Sequence, residues 1–209
     1  MEPIEIFEDI INEIEKLDIE FRENGIPERY KKKWRIDVNV GLWIIGRKTA
    51  EWLHKLVLQK KPKLILELGT SVGYSALWLG RAAVRYGGVL ETIDKEKFKV
   101  DEARTYIEKA KLQKTVTCIE GDIFEFLKNA KLEAKKYDFV FIDAGKREYV
   151  QYLKLLEPIL ADSSTIVADN MSDFAEQTKD YREYLSSNHH YKNQAIEIDH
   201  GLMLSIYKE

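Results

Sequence analysis

A single cysteine, Cys118, stands in a chain of 209 residues. One thiol excludes an intramolecular disulfide and a cysteine-built zinc site. No stretch approaches the roughly 20 uninterrupted apolar residues of a membrane span, so no membrane partner is expected. The opening MEPIEIFEDI lacks a basic segment followed by an apolar one, and without a secretory signal the cytoplasm is the expected location. There is no repeat, no low-complexity tract and no Pro/Gly/Ser linker, which predicts one domain over 1–209: a helical cap or lid region (1–60) and a core (61–209). Neither sign of charge dominates: 33 basic and 36 acidic residues leave a net charge of −3. No global basic field points to nucleic acid. The one basic cluster, Lys31-Lys32-Lys33-Trp34-Arg35, reads as a solvated face, and it is also the best place to hold RNA or phosphate.

What is present is a helical start followed by alternation. Ile4, Phe7, Ile10, Ile11, Ile14, Leu17 and Phe21 recur at helical spacing over 4–22, and Gly25 and Pro27 end that helix. A second helix is predicted from Leu42 to Gln59. Strand-like runs then fall at 63–68, 89–94, 115–121, 137–143 and 164–170, separated by helical stretches at 74–86, 97–111, 123–135, 147–160 and 173–187. Such alternation predicts an α/β chain with crossovers on a mostly parallel sheet. Two last runs, 194–199 and 202–208, are joined only by His200-Gly201, too short a link for a parallel crossover, so they form an antiparallel hairpin.

Ligands of open parallel sheets bind at the carboxyl ends of the strands. Those ends carry Glu67, Gly69 and Gly73; Asp94; Gly121 and Asp122; Asp143; and Asp169 with Asn170. Each has a plain reading beside a functional one. The Gly-x-x-x-Gly turn serves a loop as readily as a cofactor, and Asp94 and Asp122 suit helix N-caps. Lys146 alone suits a surface lysine. Two carboxylates and an amide on neighbouring tips suit Mg²⁺ or a similar hard cation, not zinc. An acid at the mouth of the first turn repels a pyrophosphate but accepts hydrogen bonds from an ammonium, which favours S-adenosylmethionine over a dinucleotide.

LILELGTSVGYSALWLG, ETID, CIEGD, YDFVFIDAGKREYVQYL, TIVADN and GLMLSIYK, in this order over roughly 60–209, resemble the metal-dependent catechol and caffeoyl-CoA O-methyltransferases. The resemblance implies a Rossmann-like, seven-stranded, mostly parallel sheet with an antiparallel C-terminal strand, helices on both faces and an N-terminal helical cap. It further implies that Glu67, Gly69, Gly73, Tyr74 and Ser75 hold the methionine part of S-adenosylmethionine and that Asp94 binds the ribose. Asp122 and Ile123 would form the adenine-side turn. Asp143, Asp169 and Asn170 would ligate the divalent ion, with Asp143 also beside the cofactor, and Lys146 would be the general base. The acceptor expected is a small hydroxylated molecule; a hydroxylated tRNA base such as 5-hydroxyuridine is the alternative, and a homodimer is the expected assembly.

Three departures from that pattern carry expectations of their own. MSDFAEQTKDY after Asn170 is polar and without glycine where an apolar substrate wall is usual. Gln194, with Glu197 nearby, stands where a late glutamate binds a second hydroxyl. Gly145 replaces a larger residue and would open room beside the cofactor or loosen the loop. Trp34, Ile36 and Val38 are similar to a lid segment, while Trp34 and Trp43 also suit helix-packing aromatics. His54, His189 and His190 suit surface or capping roles.

Overall fold

The protein is described here as a computed structural model, which covers residues 3–31 and 41–209, the side chains at 3, 4 and 29 excepted. Helices α1 (Pro3–Asn24), α2 (Glu28–Lys31) and α3 (Arg47–Lys60) precede the sheet. The chain then runs β1 (Leu64–Leu68), α4 (Tyr74–Ala83), β2 (Val89–Asp94), α5 (Lys97–Lys109), β3 (Val116–Glu120), α6 (Ile123–Leu132), β4 (Tyr137–Ile142), α7 (Tyr149–Leu156), β5 (Leu160–Ala168), α8 (Lys179–Ser187), β6 (Tyr191–Ile196) and β7 (Leu202–Tyr207).

The seven strands form one sheet in the order β3-β2-β1-β4-β5-β7-β6. β1 to β5 pair in parallel, and β7 runs antiparallel to both β5 and β6. Side chains alternate across the strands, so a strand covered on both faces feeds two cores. Ile65, Phe139, Phe141 and Val167 join the core under α1, α3, α4 and α5, while Leu66, Val140, Ile142 and Ile166 join the core under α6, α7 and α8. α1 seals the first core with Phe7, Ile10, Ile11, Ile14, Leu17 and Phe21, all buried, as its periodicity predicts.

Several boundaries differ from the sequence expectation. The second helix starts at Arg47, not Leu42, because Trp43 sits in the left-handed region (φ 52°) and interrupts the helical path. Its N-cap, Gly46, has no side chain to offer; the carboxylate of Asp199 instead accepts from the Thr49 backbone N–H and hydroxyl, both at 2.9 Å. α8 starts at Lys179 instead of Asp173. The carbonyls before it are taken by side chains: Arg182 donates to Met171 and Ala175, and the Thr178 hydroxyl to Phe174. β6 ends at Ile196, so the hairpin connection is Glu197–Gly201, longer than the two residues expected. Among the described residues no helix is long and apolar enough to cross a membrane. Of the basic cluster only Lys31 lies within the described residues, paired with Glu28 at 2.6 Å; Lys32–Arg35, Ile36 and Val38 lie outside them.

Candidate active site

The site lies where the strand order turns back, between β1 and β4. One hydrogen bond beyond each strand end holds the tips in register. Gly69 N–H donates to Ile93 O at 2.9 Å, Asp143 N–H to Leu68 O at 2.9 Å, Asp169 N–H to Ile142 O at 3.0 Å and Gly121 N–H to Asp94 O at 3.0 Å. The acids therefore stand on rigid backbone. A cavity of about 1430 Å³ opens above them and is lined by Gly69, Tyr74, Ser75 and Asp94 together with Asp143, Lys146, Asp169 and Asn170.

The first turn is glycine-dependent for two reasons. Gly69 (φ 105°) passes so close to β4 that a Cβ would lie 2.1 Å from the Asp143 carbonyl oxygen. Gly73 (φ 84°) opens α4, and a Cβ there would meet Ala103 of α5 at 2.9 Å. Asp94 secures the turn from the side: Oδ2 accepts from Ser71 N–H at 2.9 Å and Oδ1 from Glu96 N–H at 3.0 Å. Each oxygen keeps lone-pair capacity for a ligand hydroxyl.

Glu67 does not line the cavity. It is fully buried beneath the turn, where Thr92 donates to Oε2 and Thr70 meets Thr92 at 2.6 Å. Its Oε1 has no partner. Burial pushes its carboxyl up to about 8, the Ser75 and Thr92 hydroxyls oppose that rise, and Asp143 and Asp94 add to it. Gly73, Asp122 and Ile123 also stay off the cavity wall. Asp122 takes the plain role open to it, capping α6 by accepting from Glu125 N–H at 3.1 Å. The Tyr74 hydroxyl turns toward α1 and donates to Glu15, which also receives Arg47.

Lys146 Nζ donates to Asp143 Oδ1 at 2.6 Å. Asp169 is buried, its Oδ1 has no partner, and burial followed by the Asp143 charge raises its carboxyl to about 7. Asn170 has φ 65°, a backbone state that asparagine tolerates better than most residues. An orphaned buried carboxylate oxygen beside a second carboxylate and an amide fits a hard divalent cation. Among the described residues no three His, Cys, Asp or Glu side chains cluster to hold a metal, so such an ion would depend on the Asn170 amide as its third ligand. The orphaned Glu67 oxygen and the glycine cradle likewise fit a cofactor that brings positive charge to the first turn.

Other residues on the wall escaped sequence reasoning. Asp18 and Arg22 of α1, paired at 2.5 Å, line the cavity, as does buried Lys99, whose amine burial drives down against the pull of Asp94 and Glu96. Trp43 is 57% exposed and lines the cavity, which corrects its reading as a helix-packing aromatic. The room expected at Gly145 is filled: a Cβ there would lie 1.8 Å from Glu148 Oε2, which Tyr152 holds at 2.8 Å. Gln194 pairs with Leu204 inside β6, and neither it nor Glu197 lines the cavity; the hairpin contributes His200 instead. The polar stretch after Asn170 contributes Asp173 and Phe174.

Comparison with known proteins places this arrangement in context. The model of a family described as O-methyltransferase matches residues 31–203. A catechol O-methyltransferase of Bos taurus is 30% identical over 170 residues, which make up 78% of this chain and 57% of that protein. One from Niastella koreensis is 32% identical over 123 residues, 58% of this chain and 55% of that protein. The chain thus spans a little over half the length of these curated relatives. An O-methyltransferase from Bacillus cereus, solved in complex with SAH, superposes with a TM-score of 0.78 at 21% identity, covering 96% of this chain and 91% of that one.

Proposed function

Since the chain belongs to the O-methyltransferase family, we propose that it moves a methyl group from S-adenosylmethionine to a hydroxyl of a small, catechol-like acceptor. One observation carries the reading. Lys146, Asp143 and Asp169, whose Oδ1 has no partner, stand at adjoining strand tips and line the same cavity as Gly69, Tyr74 and Ser75. Donor and acceptor sites therefore share one chamber, so that a bimolecular encounter becomes a local one.

In this reading Gly69, Gly73, Tyr74 and Ser75 shape the pocket for the methionine part, with Glu67 as the buried acid beneath it. Asp94 accepts from the ribose hydroxyls. Asp122 and Ile123 stay off the cavity wall, so in this reading they act on the adenine side only indirectly, Asp122 by capping α6. S-adenosylmethionine supplies, when bound, an electrophilic methyl on a sulfonium. Asp143, Asp169 and Asn170 would hold Mg²⁺ or a similar cation, whose chemistry is Lewis-acid acidification of a hydroxyl. Lys146 would take the hydroxyl proton at Nζ as a neutral amine, for which its ammonium must first release Asp143 and give up a proton of its own. The walls from Trp43 and Phe174 limit water at the reacting end. A homodimer formed through the N-terminal helices belongs to the same reading, and sedimentation tests it.

The test is transfer of labelled methyl from S-adenosylmethionine to catechol, with Mg²⁺ or with chelator, and with tRNA as a parallel acceptor. Label in catechol only when metal is present is expected. Full activity in chelator would remove the cation from the reading, and label in tRNA alone would overturn the small acceptor. Asp169→Ala should abolish turnover and the Mg²⁺-induced rise in thermal midpoint while calorimetric binding of S-adenosylhomocysteine persists.

A further inference from the structure

The backbone of Asp169 is fastened on both of its polar sides. Its N–H donates to Ile142 O at 3.0 Å, which ties the end of β5 to the end of β4. Its carbonyl is reached from α7: the Tyr149 hydroxyl lies 3.4 Å from Asp169 O and 3.2 Å from Ile142 O. Carbonyl oxygens only accept, so the phenol is the donor. Both contacts are longer than a single O–H···O bond, as one proton shared between two oxygens requires. Burial, with the Asp143 and Asp169 charges behind it, raises the phenol well above its ordinary value, so the proton stays on it. Tyr149 is fully buried at the first position of α7, and its ring packs edge-on against Tyr181 at 5.6 Å.

These contacts converge on one peptide. The Asp169 carbonyl belongs to the peptide that leads into Asn170, whose φ of 65° is the left-handed state. That state costs a non-glycine residue free energy and persists only where its surroundings impose it. Ile142 and Tyr149 impose it here, because a peptide tied at both ends of Asp169 cannot pivot to give Asn170 an ordinary φ. The same tyrosine ring stands 5.7 Å from Lys146 Nζ, and Phe174 faces that ammonium at 5.8 Å. Tyr149 thus touches the Asp169–Asn170 peptide, Lys146, and the residue just before Asp143, although it does not itself line the cavity.

We infer that Tyr149 is a positioning residue for the cation site: by holding the Asp169–Asn170 peptide against the end of β4, it keeps Asn170 in its left-handed conformation and so presents its amide to the same cation as Asp143 and Asp169. Mg²⁺ demands near-ideal octahedral geometry, so a peptide free to rotate weakens the site without removing a ligand. Tyr149 touches neither cation nor substrate and acts through Asn170. The inference rests on the cation site proposed above.

The test is calorimetric titration of Mg²⁺ into the full chain saturated with S-adenosylhomocysteine. Tyr149→Phe, which keeps the ring and removes the hydroxyl, should weaken Mg²⁺ binding about tenfold, the worth of one hydrogen bond. Its affinity for S-adenosylhomocysteine, measured without metal, should stay at the wild-type value. The loss of Mg²⁺ affinity should shrink in an Asn170→Ala background, since the two residues act on one ligand. Tyr181→Phe is the control: among the described residues its buried hydroxyl has no partner, so its removal should leave Mg²⁺ affinity unchanged. Unchanged Mg²⁺ affinity in Tyr149→Phe, or losses that add in the double variant, overturn the inference and leave the cation site standing. An equal loss of S-adenosylhomocysteine affinity overturns it too, because Tyr149 would then be a general packing residue. Should Tyr149→Phe fail to fold, 3-fluorotyrosine placed at this position keeps the hydroxyl and carries the test. Its fluorine signal should shift with the Mg²⁺ midpoint found by calorimetry, and a signal blind to Mg²⁺ overturns the inference. A wild-type chain that binds no Mg²⁺ overturns the proposed cation and this inference together.

Discussion

Lys146 Nζ and Asp143 Oδ1 stand 2.6 Å apart, three residues from one another across the turn after β4. The two groups occupy each other: the ammonium sits on a carboxylate oxygen that the proposed cation also needs. Lys146→Met should therefore separate two properties. Turnover should fall by about 10²–10⁴, the usual worth of a general base. Mg²⁺ affinity, read by calorimetry, should rise by about tenfold, because a competing positive charge at short range has been removed. Lower metal affinity in Lys146→Met would show that the pair does not compete with a cation.

Gly69 bears on the same aspartate through its backbone. Gly69→Ala would combine a strained φ of 105° with a Cβ 2.1 Å from the Asp143 carbonyl oxygen. The thermal midpoint should fall by about 5 °C or more, and Mg²⁺ binding should weaken because the Asp143 tip is displaced. Gly87, also at positive φ but with nothing within 4 Å, is the control. Its alanine variant bears only the backbone cost and leaves Mg²⁺ affinity unchanged.

The strand tips were legible because parallel strands are apolar until they reach solvent. Asp94, Asp143 and Asp169 mark the points where LETI, FVFI and TIVA stop, so the layout of the chamber followed from local pattern. What the pattern could not carry were contacts between distant residues. Asp199 capping α3, Tyr74 reaching Glu15 and Asp173 holding His200 join positions far apart in the chain, and no periodicity links them. The same cause misplaced element ends. The starts of α3 and α8 depend on Asp199 and Arg182, groups outside the helical stretch or deep within it. Glu67 was read as an acid at the loop mouth; one strand position earlier than the tip, it faces the core instead.

Glu67 gives the clearest pH dependence. Its carboxyl is raised from 4.5 to about 8 by burial, so the folded state favours the protonated form. The stability contributed by that preference is fully present below about pH 4.5 and is lost as pH rises through about 8. Glu67→Gln cannot ionise, so its thermal midpoint should overtake that of the wild type progressively between about pH 5 and about pH 8. Saturating S-adenosylhomocysteine should narrow the gap, since an ammonium above the turn favours the ionised acid. Parallel melting profiles across this range would place the titration elsewhere.

Asp199 tests whether the β6–β7 connection and α3 are one unit. Its carboxylate supplies the cap that Gly46 lacks, at the positive end of the helix, through two bonds to Thr49. Asp199→Ala should cost about 1 kcal/mol, read as a lower denaturant midpoint with an unchanged slope. Thr49→Val, which removes the hydroxyl bond and keeps the backbone one, should cost less. The two substitutions should not add, because the second removes a bond that the first has already broken. Losses that add in the double variant would show that the Thr49 hydroxyl contributes through some group besides Asp199.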